Sequence, residues 1–478
     1  MGRYMPWLER PKTPELVNLP SRPAMVAADT DVLVVGGGPA GIGAAMGAAE
    51  AGARVVLAER YGFLGGNATV ALVMPLMSFH TQRAASGPTR AQTLMPSDHQ
   101  DGDPVIAGAL RKLLERLVAA GGAIPPSDQT GFVVPFDPEI FKLVALDLLD
   151  EAGVQALFHA FASGVYGRSR VEGVVFETKS GPTVVKAKTI VDCTGDGDVA
   201  ALAGAPYEVG RDEDAVVQPM TLMFRMVGFH QKSFEAYVKR HPDQWRGVHG
   251  LWDLIQQATA AGELELPRED LLFFGTPHVE EVSVNSTRIT QVLGTDVWDL
   301  TYAEFQARRQ MRQIASFLKR YVPGFEDSYI VQSGVQTGVR ETRRIIGNYQ
   351  LTADDVLSAR KFPDVIARGT YPIDIHNPTG KGTILKRVPP GEAYEIPLRC
   401  LLPRGLDNLL VAGRCISGTH EAHSSYRVMP ISMVTGQAAG VCAALSALGN
   451  RATREVLASG VQRELLRQGA NLGKLKGS

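Results

Sequence analysis

The stretch Asp31–Gly41, DVLVVGGGPAG, constrains this chain more than any other. Gly36, Gly38 and Gly41 fit the spacing G-x-G-x-x-G, after an apolar strand-like run and before the small-residue helix pattern IGAAMGAAEAG. Each glycine has a separate physical task. The first permits a tight turn, the second lets backbone approach a pyrophosphate, and the third lets helix and strand pack closely. Pro39 and Ala40 open the helix, whose free N–H groups and positive dipole end attract phosphate. Glu59 closes the next apolar run, VVLAE, where an acidic side chain accepts a hydrogen bond from an adenosine ribose. Within strand, helix, strand and acid, the glycines predict a dinucleotide site on an α/β unit.

The length of 478 residues predicts two or three domains. Hydrophobic content of 45% and charged content of 21% suit an ordinary globular protein. A net charge of −1 gives no reason to expect nucleic acid or an anionic membrane as partner. Cys193, Cys400, Cys415 and Cys442 form no C-x-x-C pair, which argues against a disulfide framework or zinc site and for a reducing compartment. The N-terminus is too polar and proline-rich for a signal peptide, so the expected location is cytoplasmic. The most membrane-like run, residues 430–448, contains Gln437 and reads as a buried helix rather than a membrane span. No feature of the sequence sets an oligomeric state.

Residues 1–29 read as an irregular arm, and the polar, break-rich stretch 80–105 as a surface loop or flap within an 80–130 insertion. Helices follow at roughly 106–120 and 138–152, the second capped by Asp137 with Pro138 in its first turn. Three β-rich runs, VQALFHAFASGVYG, RVEGVVFET and GPTVVKAKTIVDC, predict a small antiparallel meander. Residues 206–395 change character and contain one long helix near 302–321, with Thr301 and Glu304 as capping box and Pro323-Gly324 as stop. A strand at 408–413 and a helix from Pro430 close the chain. The organisation expected is a dinucleotide-binding domain built from 30–205 and 396–478, with a substrate domain at 206–395 inserted between them.

Three further segments carry chemistry. Arg60-Tyr-Gly-Phe-Leu-Gly65-Gly66-Asn67-Ala68-Thr69 follows Glu59 and lets backbone pass close to a bulky ligand. Thr194-Gly195-Asp196-Gly197-Asp198 is a second strand–glycine turn–helix, placed to touch an extended cofactor. Ala412-Gly413-Arg414 precedes CISGTHEAHSSYRVMP and the helix ISMVTGQAAGVCAAL. Together with GVRETRRIIG and IPLRCLLP, these segments resemble the bacterial FAD-dependent oxidoreductases of the glutathione-reductase-like superfamily, in the branch around fumarate reductase and thiazole synthase. The resemblance implies an α/β fold, a Rossmann-like FAD-binding domain with a β-meander plus an inserted α+β substrate domain. It also implies non-covalent FAD as cofactor, a small-molecule substrate and a diffusible electron donor or acceptor. Dispersed loops agree with an extended FAD, and the lack of a second glycine fingerprint argues against a built-in NAD(P)H domain.

Pro430, Ile431 and Ser432 begin a helix whose positive end, on this reading, meets the flavin ring. His423 and Arg427, in the cluster THEAHSSYR, are candidates for acid/base work and for holding a carboxylate or stabilising an enolate. Asn285, Arg343, Arg344 and Asp374 are polar groups amid apolar runs of the middle segment, and Arg288, Arg340 and His376 there are candidate substrate contacts, with interface bracing by carboxylates such as Glu341 as the alternative for the arginines. H-E-A-H lacks further ligands for a metal. His80 is a candidate covalent flavin anchor by analogy with succinate dehydrogenase relatives. Hydride transfer between a polar or anionic substrate and flavin N5 is the activity these residues suggest. A flavin monooxygenase or a non-redox flavin-binding protein are alternatives, the first disfavoured by Arg414 where Asp is usual.

Overall fold

The computed structural model describes residues 10–82, 93–95, 102–167, 170–377 and 382–475. Most of the polar stretch expected to form a flap therefore lies outside the described residues. The main sheet is built from β1 (Met25–Val35), β2 (Val55–Ala58), β3 (Gln155–Leu157), β4 (Phe161–Tyr166), β5 (Gly173–Thr178), β6 (Gly181–Asp192) and β7 (Leu409–Val411). Its order is β3-β2-β1-β6-β5-β4, with β7 also on β6. β1, β2, β3, β6 and β7 run parallel, and β4, β5 and β6 form the antiparallel meander. The run VQALFHAFASGVYG thus splits: its first part, β3, joins the parallel sheet beside β2, and only β4 enters the meander.

β6 is long enough to serve both arrangements. Its first half pairs with β5, while Ile190–Asp192 lies between β1 and β7. From β1 the chain moves one way to β2 and the other way to β6, so a crevice opens at the carboxyl ends of these neighbours. α1 (Pro39–Glu50) covers the sheet and packs against the long late helix Met429–Leu448. Glycine makes that contact a backbone-to-backbone one: a Cβ on Gly436 would stand 1.9 Å from Ala40 O, and one on Gly440 2.0 Å from Ala44 O. This is the one helix among the described residues long and apolar enough to cross a membrane, and 89% of its apolar window is buried inside the protein.

α2 (Ala109–Ala119) starts three residues later than expected, because Gly108 has φ +65° and Ala109 N–H is capped by the Gln437 side chain. α3 (Pro138–Glu151) begins as read from sequence, with Asp137 accepting from Glu139 and Ile140 N–H. A six-stranded antiparallel sheet, ordered 329–333, 224–227, 281–284, 271–275, 249–250 and 245–246, stands apart from the main sheet. It has its own core of Phe224, Phe234, Trp245, Phe273 and Phe325, against α4 (Val297–Tyr321). α4 starts five residues before the expected position, since Asp296 caps Trp298 and Asp299 N–H; Thr301 lies inside the helix and Glu304 instead binds Thr337. α5 (His420–Tyr426), capped by Thr419, and α6 (Met429–Leu448) follow β7.

Candidate active site

Four loops leave the carboxyl ends of four parallel strands and meet around one cleft. The glycine turn follows β1, Glu59 follows β2, Thr194–Asp196 follows β6 and Gly413-Arg414 follows β7. Segments far apart in sequence converge because their strands are neighbours. The cleft together with the solvent at its mouth spans about 1060 Å³ of space not filled by protein atoms. Gly36 has φ +101°, and a Cβ there would lie 2.4 Å from Cys193 O. Gly41 lies behind the turn rather than on the cleft: its Cβ would stand 1.7 Å from Gly36 O, so this position packs helix on strand.

α1 begins at Gly38 without a side-chain cap, leaving its first N–H groups free at the cleft. Gly38 and Gly66 face each other as bare backbone, since a Cβ on Gly66 would lie 2.8 Å from Gly38 Cα. Glu59 accepts from Gly37 N–H at 2.6 Å and Tyr61 N–H at 2.9 Å. Burial raises its carboxyl above the usual range while these amides pull it back. Pro39, Ala40, Arg60, Asn67, Thr194, Gly195, Asp196, Gly413 and Ser432 also line the cleft. Gly65, Ala68 and Thr69 do not; Gly65 bonds Gly37 O, Thr69 Oγ1 donates to Leu64 O, and Ala68 is core, so these residues shape the loop. Ile431 is likewise core, and Pro430 faces a second cavity.

Arg414 lines the cleft, but its guanidinium is committed to bracing. It donates to Gly195 O at 3.0 Å, to Val339 O and to Asp196 Oδ1. Beneath the same loop Asp192 is fully buried, accepting from Thr194 N–H and Oγ1–H and from Ala200 N–H. Burial pushes this carboxyl up to about 6, against those hydrogen bonds.

A second cavity, of about 1270 Å³, adjoins the cleft and shares Asn67, Val339, Arg414, Arg427 and Met429 with it. Arg340, Arg427, Asn285, Tyr371, Asp374 and His376 supply its polar lining. Arg340 donates to Pro219 O and Thr221 Oγ1, both at 2.6 Å, and has no carboxylate in ion pair among the described residues. Burial, then neighbouring Arg427, push its guanidinium down to about 9. Arg427 stands 3.7 Å from Asp374 Oδ2, and its Nε is buried without a partner among the described residues, as is Asn285 Oδ1. Burial lowers His376 to about 4, against the pull of Asp374, so the imidazole is neutral.

Two expected catalytic residues stand elsewhere. His423 is completely buried on the inner face of α5, lines neither cavity and has both ring nitrogens unpartnered among the described residues. Burial and nearby Arg344 hold it neutral, far below the usual histidine range. His420, one turn earlier, bonds Glu341, which also binds Arg344 in a buried brace. Arg288 stands behind His376 and donates to its Nδ1 at 3.1 Å instead of lining the cavity. His80 packs between Phe79 and Phe132 and lines neither cavity, which argues against a flavin anchor there. Tyr61, Val339 and Met429, inside the quoted segments, and Gln336, outside them, also line the cleft without having been singled out as side chains. Among the described residues no cluster of His, Cys, Asp and Glu suits a metal ion, and all four cysteines are buried and unpaired.

A family model described as FAD dependent oxidoreductase matches residues 31–465. The chain belongs to that family. The oxidoreductase is also 33% identical over 125 residues to urocanate reductase of Eggerthella lenta, across 24% of this chain and 20% of that protein. The chain thus matches about a fifth of that relative's length. A geranylgeranyl bacteriochlorophyll reductase-like protein of Thermoplasma acidophilum is 13% identical, with 93% of this chain and 84% of that one covered and a TM-score of 0.43. The p-nitrophenol 4-monooxygenase PnpA of Pseudomonas putida is 10% identical, with coverages of 92% and 85% and a TM-score of 0.43. The cofactor of this oxidoreductase is FAD, and the cleft suits it. Bare glycine backbone and a free helix N-terminus fit the pyrophosphate, and Glu59 fits the adenosine ribose.

Proposed function

We propose that this oxidoreductase exchanges a hydride between FAD and a small carboxylate-bearing substrate held in the second cavity. The observation that carries this reading is Arg340, a half-buried cation that faces the cavity with no carboxylate paired to it among the described residues. A buried charge costs free energy unless an opposite charge joins it. An incoming carboxylate supplies that charge, and Arg427 offers a second guanidinium beside it. Arg288, a cation that only donates, leaves His376 Nδ1 as acceptor and thereby keeps the proton on Nε2, 3.5 Å from Asp374 Oδ2. His376 and Asp374 thus hold one proton at a known atom beside the substrate space. Met429 and Val339 line both cavities and form apolar surface at their junction.

The test is electron exchange under anaerobic conditions. FAD-loaded protein, oxidised or chemically reduced, is mixed with panels of carboxylic acids, polyols and sugars while the visible flavin band is followed. Members of the carboxylate panel bleach the oxidised form or restore the reduced one. Exchange with polyols or sugars alone overturns the carboxylate reading. Oxygen consumption that requires a reductant first and yields a hydroxylated product points to a monooxygenase instead.

A further inference from the structure

The second cavity has two chemically different walls. Its cations, the carboxylate of Asp374 and most of its polar groups come from the junction of α5 with α6, from Arg340 and from strand 373–376, while Thr221 and Asn285 add a hydroxyl and an amide from the inserted segment. Another part of the lining is apolar: Met74 and Met77 from the segment after the Gly65-Gly66 loop, and Met223, Val248 and Phe274 from the inserted sheet. Among the described residues these five bring no charge to the cavity. Met223, Val248 and Phe274 belong to a small hydrophobic cluster separate from the main core of the inserted sheet. Such a surface excludes a substrate that is charged at both ends, because the second charge would lose its water with nothing to replace it.

We infer that the substrate is amphipathic, a monocarboxylate whose acid group meets Arg340 and Arg427 and whose ring or short hydrocarbon chain rests on Met77, Met223 and Phe274. This rests on the carboxylate reading above and narrows it. Methionine suits such a wall, since its unbranched, polarisable side chain adapts to rings and chains alike. Phe274 offers a ring face or edge to an aromatic body. Burying one methylene favours binding by a factor of about four, so the wall discriminates by chain length.

The experiment measures binding to the FAD-loaded enzyme by calorimetry, using butanoate, hexanoate, 3-phenylpropanoate, succinate and the uncharged 3-phenylpropanamide. Hexanoate is expected to bind about tenfold tighter than butanoate, and 3-phenylpropanoate at least tenfold tighter than succinate or the amide. Phe274→Ala is expected to weaken 3-phenylpropanoate about tenfold and leave butanoate within twofold. Met77→Ala, at a half-buried position, should act in the same direction and is measured in parallel in case the core substitution fails to fold. Succinate binding as tightly as 3-phenylpropanoate, or both wall variants leaving the ladder intact, overturns the amphipathic substrate while sparing the carboxylate. An amide as tight as the acid, with Arg340→Gln without effect, overturns the carboxylate reading itself. Absence of binding by every probe at millimolar concentration counts against both.

Discussion

Arg288 Nη2 donates to His376 Nδ1 across 3.1 Å, and this contact decides where a neutral imidazole carries its proton. The ring nitrogen facing Asp374 is then the N–H, and Arg288 acts through His376 rather than on substrate. His376→Asn is expected to lower kcat about a hundredfold, in the range of a lost proton-transfer group. The substrate concentration at half-saturation and the FAD affinity should change little. Burial holds His376 at about 4, below its ordinary value, so it stays uncharged as pH falls from 8 to 5. A kcat profile of the wild-type enzyme should therefore show no histidine inflection in that window.

Arg340 gives a limb at the other end of the pH scale. Its guanidinium is pushed down to about 9 by burial and by Arg427, so the charged form predominates below that value. Carboxylate affinity is expected to be constant from pH 7 to 8.5 and to fall about tenfold per pH unit above pH 9. Isothermal titration with the best-binding carboxylate checks this. In Arg340→Lys the fall should begin at a different pH, because a flexible ammonium replaces the planar guanidinium.

Asp192 ties the loop Thr194–Asp198 and the short helix after it to β6, two hydrogen bonds from Thr194 and one from Ala200 meeting on one buried carboxyl. An Asn there must turn an N–H₂ toward backbone or hydroxyl donors, so Asp192→Asn is expected to weaken FAD binding at least tenfold. The carboxyl sits at about 6 in the folded protein, above the unfolded value, so it binds its proton more tightly when folded. Its favourable contribution is full below the unfolded pKa and is lost as pH rises through 6. Melting temperatures of wild type and Asp192→Asn from pH 4.5 to 7, compared as a difference, should show this slope in the wild type alone.

Gly436→Ala tests the α1–α6 contact by its sign. In an exposed helix this change stabilises by up to about 1 kcal/mol. Here the new Cβ would stand 1.9 Å from Ala40 O, so the helices must separate, at a cost of about 1–3 kcal/mol. Because α1 carries the phosphate end of the cleft, FAD affinity should fall with stability. Denaturant unfolding with and without FAD measures both.

The sequence revealed most where chemistry depends on local backbone. The turn Gly36–Gly41 and the cap Asp137–Pro138 are read from a few adjacent residues whose conformations allow little choice. α4 shows the limit of that logic, since Asp296 and Thr301 both offer a cap and it is Asp296 that takes the free N–H groups of Trp298 and Asp299. The reactive cluster 419–427 could not be resolved in sequence, because helix periodicity sends His420 and His423 inward and leaves Arg427 at the helix end beside the cavity. Arg340 and Arg344 sit four residues apart in one motif with opposite fates. One faces the cavity, and the other is buried against Glu341, Gly418 O and Gly210 O. The apolar wall at Met77, Met223 and Phe274 has no motif; only the packing of the inserted sheet against the segment after the Gly65-Gly66 loop assembles it.

The central claim is that the FAD cleft and the Arg340 cavity work as one site. The most direct measurement is rapid anaerobic mixing of FAD-loaded wild type and Arg340→Gln with a carboxylate that exchanges electrons with the flavin. The account predicts that Arg340→Gln needs ten- to a hundredfold more carboxylate for the half-maximal rate, the worth of one charged hydrogen bond. FAD affinity should be unchanged. Equal rates at equal concentrations in both proteins, or no carboxylate that exchanges electrons with fully loaded enzyme, would contradict it.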